Sequence, residues 1–174
     1  MKSRALNNPE LTTLCYIEKD GRYLMLHRVK KQNDINKDKY IGVGGHFEYG
    51  ESPDDCLKRE VLEETGLTLT DYKPRGIVTF IYGKEDVPEE RVVEYMHLYT
   101  AAHFQGEMIT CDEGELIWID KKDVYDLPVW EGDKIFFRLL ETRQDYFSLK
   151  LVYNEGGELI YAEEDGRPLA LEGR

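Results

Sequence analysis

Apolar and polar residues alternate in short runs along most of the chain, and the period becomes helical in two places. Leu11 to Glu18 (LTTLCYIE) and Tyr23 to Val29 (YLMLHRV) are rich in β-branched and aromatic residues and are joined through Asp20-Gly21, which predicts a β-hairpin. Tyr40-Ile41, Tyr72 to Tyr82, Val92 to Phe104 (VVEYMHLYTAAHF) and Leu116 to Ile119 predict further strands. Tyr146 to Tyr153 and Leu159 to Glu163 predict a closing hairpin around Asn154-Glu155-Gly156-Gly157. Helical spacing over Pro53 to Thr65, and over Asp133 to Gln144 with Ile135, Phe136, Leu139 and Leu140 on one side, predicts two helices. Strands and helices in this order predict an α/β fold, a mixed sheet between the two helices in an α/β/α sandwich. The 174 residues predict a single domain, with mobile ends over about residues 1–10 and 165–174.

Composition narrows the partners. A net charge of −12 argues against general nucleic-acid binding and against anionic membrane, without excluding a nucleotide whose charge a metal ion offsets. Cys15, Cys56 and Cys111 lie among apolar residues without CxxC spacing, so they read as buried free thiols of a reducing compartment. The N-terminal residues show no apolar targeting core, and a cytoplasmic location is expected. His97 and His103 have no second ligand at metal-binding spacing and read as sheet residues. The run KKQNDINKDK reads as a solvated loop, or as an overhang in which Lys30, Lys31, Lys37 or Lys39 reaches a polyphosphate. Val92 to Phe104 reads as core sheet, with a homodimer edge as the alternative to a monomer.

The candidate chemistry is concentrated between Gly45 and Leu67 (GHFEYGESPDDCLKREVLEETGL). Ser52 at the N-cap, Pro53 in the first turn, Asp54 and Asp55 behind it, and Gly66 at the far end delimit a helix. Glu60, Glu63 and Glu64 stand at i, i+3 and i+4 on it, interleaved with the apolar Cys56, Leu57 and Val61 rather than opposite them. Like charges at that spacing cost about 0.2–0.5 kcal/mol each even in water, and more as water is removed. Arg59 neutralises part of the cluster through Glu51 or Glu60, and a hard divalent cation, Mg²⁺ or Mn²⁺, suits the remaining oxygens. Ahead of the helix, Gly42-Val43-Gly44-Gly45 allows close approach of the backbone to an ion or phosphate.

Gly45, Glu51, Arg59, Glu60, Val61, Glu63, Glu64, Gly66 and Leu67 fit the pattern G-x5-E-x7-R-E-U-x-E-E-x-G-U, where U is aliphatic, without a mismatch. The stretch resembles the Nudix box. From Leu11 to about Tyr161 the order of elements resembles the MutT-like branch of Nudix hydrolases, the oxidised-purine nucleoside triphosphatases in particular. The resemblance implies the Nudix fold and a Mg²⁺-dependent cleavage of a nucleoside triphosphate, such as 8-oxo-dGTP, to monophosphate and pyrophosphate. It implies metal binding by the Gly44 carbonyl, Glu60, Glu63, Glu64 and Glu113, with Glu63 or Glu113 as the base and Arg59 with Glu51 as the brace that orients Glu60. It places Thr13, Arg28, Trp130 and Asp133 against the base or sugar. Three positions depart from the branch: Ile41 replaces an Asn at the purine edge, Gly132 replaces the first of two adjacent acids, and His46 replaces a lysine. Two alternatives stay open: hydrolysis of a nucleoside diphosphate derivative such as ADP-ribose, and a nucleotide-sensing domain without turnover.

Overall fold

In a computed structural model describing residues 8–172, one ten-stranded mixed sheet carries a helix on each face. Residues 1–7 and 173–174, which belong to the two ends expected to be mobile, lie outside the described residues. Strand β1 (Glu10–Lys19) is central, and its side chains alternate between two cores. Leu14 and Tyr16 enter one with Tyr23, Met25, Val78, Leu98, Phe136, Phe137 and Leu149. Cys15 and Ile17 enter the other with Leu24, Val43, Leu57, Val61, Leu69 and Tyr99. Burial on both faces is why LTTLCYIE reads as nearly continuously apolar.

β1 runs parallel to β6 (Val92–Gln105) on one side. On its other side it pairs antiparallel, first with β4 (Val43–His46) and then with β2 (Arg22–His27). β2 in turn pairs with β3 (Tyr40–Ile41) and β7 (Glu115–Asp120). Beyond β6 come β5 (Thr68–Tyr82), β8 (Phe147–Tyr153), β9 (Leu159–Glu164) and β10 (Arg167–Pro168). Paired on both sides, β6 offers no edge to a second copy.

Helix α1 (Pro53–Thr65) packs on one face, and α2 (Glu131–Thr142) packs on the other through Phe136, Phe137, Leu139 and Leu140. α2 lacks a glycine at its C-terminus, and the buried Arg75 of β5 takes over that function. Its Nη2 donates to the carbonyls of Leu140 at 3.0 Å and Arg143 at 2.6 Å. Among the described residues no helix is long and apolar enough to cross a membrane.

Three segments differ from expectation. The glycine run is a strand, β4, whose Gly44 meets β1 so closely that an added Cβ would lie 1.9 Å from the Thr13 carbonyl oxygen. β5 starts at Thr68, not Tyr72, because Gly66 at φ 75° turns the chain straight from α1 into the sheet. Register shifts on both sides of Asp71 and between Pro74 and Gly76 break its alternation and hide its first turnings. The expected mobile tail is docked as far as it is described: Arg167 and Pro168 pair with Glu164 and Glu163, and Leu169 and Leu171 pack on the core.

Arg75→Met should destabilise the chain by about 1–3 kcal/mol, the cost of leaving buried acceptors unmet. A shift of the urea midpoint at constant m-value checks this, and an unchanged midpoint would show that water caps α2 as well as Arg75 does.

Candidate active site

The site begins with how α1 is pinned. The Ser52 side chain accepts from the Asp55 amide at 3.1 Å, and Asp55 accepts from the Ser52 amide at 3.0 Å, a reciprocal cap. From β6, the Tyr99 hydroxyl donates to Asp54 at 2.8 Å. Arg59 then ties the helix to the chain that precedes it. Its Nε and Nη2 donate to the two Glu51 oxygens at 2.6 and 2.9 Å, and Nη2 also donates to the His46 carbonyl at 2.9 Å. Nη1 donates to Glu60 at 2.6 Å and Glu63 at 3.2 Å. This fork pulls the Glu51 carboxyl down to about 2, the Arg59 hydrogen bond being the main cause.

Glu64 is excluded from that fork. It is 9% exposed, and its Oε2 accepts from the Gly44 amide at 3.2 Å. It has no ion pair among the described residues. Burial, and then the charges of Glu113 and Glu60, push its carboxyl up to about 9. Glu113, from the loop before β7, lines the same cavity beside it. Burial works to raise the Glu113 carboxyl as well, but the Lys31 hydrogen bond and the Arg28 charge outweigh it, so Glu113 is held below the usual range. The Arg28 guanidinium reaches Glu113 and Asp34, each at 2.6 Å. The two acids are thus displaced in opposite directions, Glu64 upward by burial and Glu113 downward by its cations.

These groups occupy one end of a cavity of about 480 Å³. Gly44, Arg59, Glu60, Glu64, Glu113 and Arg28 line it there, and Thr13, Trp130 and Asp133 line it further on. Of the residues expected to hold metal or to contact base or sugar, Glu63 alone is not brought to the cavity: its side chain is 57% exposed on the outer side of Arg59. Arg28 stands with the acids. Thr13 is 2% exposed, with its hydroxyl 3.4 Å from the Cys56 sulfur. The Trp130 indole donates to Asn36 Oδ1 at 2.7 Å, meets Phe80, Tyr82 and Tyr153 edge-on, and carries the Lys39 ammonium 4.8 Å from its ring centroid. Asp133 is 7% exposed, and burial raises its carboxyl well above the usual range.

The oxygens fit a hard divalent ion in kind. A nine-tenths buried carboxyl without a cation faces two more carboxyls, an arrangement that a positive charge would relieve. Among the described residues, no three acidic, histidine or cysteine side chains already converge as a ligand set. Arg59 holds Glu60 through Oε1 and leaves its other oxygen to an ion, whereas Arg28 and Lys31 hold both oxygens of Glu113, so Glu113 would exchange one of them to bind an ion.

Sequence reasoning passed over Glu94, Thr12, Asn36 and Met96, which also line the cavity. Glu94 had a signal, as the only acid in the apolar run of β6. Asn36 had none, since it lies in the lysine-rich loop; of that loop's lysines, Lys31 does line the cavity. Of the departures, Ile41 and His46 line the cavity and Gly132 does not. A Cβ at Gly132 would lie 2.5 Å from both the Tyr153 hydroxyl and Leu151, so this fold has filled the place of a side chain there.

Residues 9–140 match the model of the NUDIX domain family. The chain is 31% identical over 150 residues to the uncharacterized Nudix hydrolase YvcI of Bacillus subtilis, covering 85% of this chain and 89% of that one. It is 28% identical over 137 residues to the oxidized purine nucleoside triphosphate hydrolase of Danio rerio, covering 79% and 83%. A MutT protein from Bacillus halodurans superposes with a TM-score of 0.79 at 27% identity, over 91% of this chain and 99% of that one.

Glu51 gives a pH test of the brace. Its folded-state pKa is depressed, so its contribution is present above the unfolded value near 4.5 and is lost as pH falls toward 2. The stability gap between wild type and Glu51→Gln, from urea unfolding, should be constant above about pH 5 and narrow below it. A gap that stays constant to pH 3 would mean that the glutamate charge is not what braces α1.

Proposed function

Because the chain belongs to the Nudix hydrolase family, we propose that it hydrolyses an oxidised-purine nucleoside triphosphate to the monophosphate and pyrophosphate, clearing damaged precursors from the nucleotide pool. The observation that carries this reading is the arrangement of one cavity, with the carboxyls of Glu60, Glu64 and Glu113 at one end, Glu64 among them without an ion pair among the described residues, and Trp130 with Asp133 at the other. The spacing suits a ligand with phosphates at one end and an aromatic base at the other. The name of the Danio rerio relative points the same way.

Glu60, Glu64 and Glu113, with Gly44, would hold Mg²⁺, with Mn²⁺ as a substitute. Such an ion, when bound, supplies positive charge against the phosphate oxygens and makes water a better nucleophile. The protein's own residues do the rest. Arg59 fixes Glu60 and the end of β4 against α1, so that the acids present their oxygens without rearranging the helix. Glu113, kept ionised by Arg28 and Lys31, is placed to accept the proton of the attacking water. Arg28 and Lys31 then set cationic donors beside the leaving pyrophosphate. Glu63, outside the cavity, acts as a further partner that keeps Arg59 in place. The water oxygen joins phosphorus, the bridging phosphoanhydride bond breaks, and the electron pair leaves with the pyrophosphate. Trp130 and Asp133 hold the base, and no membrane or nucleic-acid polymer is needed.

Product analysis with Mg²⁺ across 8-oxo-dGTP, the common nucleoside triphosphates and ADP-ribose tests the reading. Wild type should release pyrophosphate and monophosphate from 8-oxo-dGTP, and Glu64→Gln should lower kcat/KM by on the order of 100-fold or more. Cleavage of ADP-ribose alone would overturn the triphosphate reading. Nucleotide binding with no turnover that depends on Glu64 would overturn the catalytic one.

A further inference from the structure

The base-binding end of the cavity contains a second, half-buried acid, carried by β6 rather than by α2. Glu94 lies on β6, opposite Glu10 of β1 on one side and Phe80 of β5 on the other. Its carboxyl accepts from the Thr12 hydroxyl through Oε1 at 2.6 Å, and its Oε2 has no hydrogen bond among the described residues. Neither Glu94 nor Asp133 has an ion pair among the described residues, and both line the cavity beside Phe80, Met96, Trp130 and Ile41. Each is displaced upward chiefly by burial, and the Glu94 charge adds to the displacement of Asp133.

Helix α2 cannot supply this second acid itself, because Tyr153 and Leu151 fill the space beside Gly132. The other groups at this end offer few donors. Ile41, Phe80 and Met96 have none, and Asn36, whose Oδ1 accepts from the Trp130 indole, has its amide N–H groups to offer. Two carboxyls among apolar and aromatic side chains favour a ligand that brings N–H groups, because those donors stabilise the ionised, accepting form that burial alone disfavours. A guanine-type purine presents a ring N–H and an exocyclic amino group side by side, whereas adenine presents an amino group beside an acceptor.

We propose that Glu94 is a specificity-determining residue that pairs with Asp133 to select a purine with adjacent N–H donors, a guanine-type edge held on Trp130. The inference rests on the reading that this end of the cavity holds a nucleotide base. A site built to accept from two donors discriminates strongly against a ligand lacking one, because a buried acceptor is then left unmet.

Hypoxanthine nucleotides, which lack only the exocyclic amino group, provide the test. Wild type and Glu94→Gln would be compared on deoxyguanosine and deoxyinosine triphosphates, in plain and 8-oxo forms, and their monophosphates titrated by calorimetry with Mg²⁺. Wild type should favour the guanine base by about tenfold to a hundredfold in kcat/KM, and Glu94→Gln should reduce that preference to about threefold or less by a larger loss on the guanine substrate than on the inosine one. Equal losses on both bases, or a preference that survives the substitution, would overturn the assignment and leave Glu94 a support for Thr12. If no triphosphate is cleaved, the proposed activity fails and monophosphate binding still decides. A guanine preference that depends on Glu94 supports the pocket, and its absence in wild type overturns it.

Discussion

The fork of Arg59 is the contact on which the site depends. One guanidinium binds Glu51 from the approach to α1, Glu60 and Glu63 from the helix itself, and the carbonyl of His46 at the end of β4. Without it, three glutamates within two turns would repel one another on a helix that must bury Leu57 and Val61 on the same side. With it, all but one of those carboxylates are compensated. Glu64, one turn on and against the backbone of β4, is the exception. Local frustration of this kind is expected where a protein keeps a site for an absent partner rather than an optimal core.

The sheet brings the rest of the chemistry to that helix. β1 carries Thr12 and Thr13 at the point where β4 lies against it, and their closeness leaves no room for a side chain at Gly44. β2 hands on to Arg28, and β7 starts just after Glu113, so the antiparallel pairing of those strands sets the cation beside the acid. On the opposite face α2 opens with Trp130 and Asp133, its end secured by Arg75. The cavity runs between these contributions, so its two ends are built by the two faces of one sheet.

Most of this was legible in the sequence where a local rule applied. The caps at Ser52 and Gly66, the brace from Arg59 to Glu51, and the alternation of β1 follow from spacing and side-chain chemistry. What was hidden depends on long-range pairing. β4 gave no sign of being a strand, because its glycines serve close strand contact rather than positive φ. Glu63 seemed equivalent to Glu60 and Glu64 on a bare helix, and only the path of Arg59 separates them. The tail carried no signal of order, because its strand exists only beside β9. Glu94 reached the cavity by register alone, through Thr12 on a strand 82 residues away in sequence.

If the carboxyl left uncompensated by Arg59 belongs to a divalent-ion site, the chain should bind such an ion through Glu64. Calorimetric titration of the nucleotide-free chain with Mn²⁺ tests it most directly, with proton release followed in buffers of different ionisation enthalpy. The account predicts binding that releases protons near neutral pH, because Glu64 must ionise, and that weakens at least tenfold in Glu64→Gln. Binding of equal strength in Glu64→Gln, with no proton released by wild type, would contradict it.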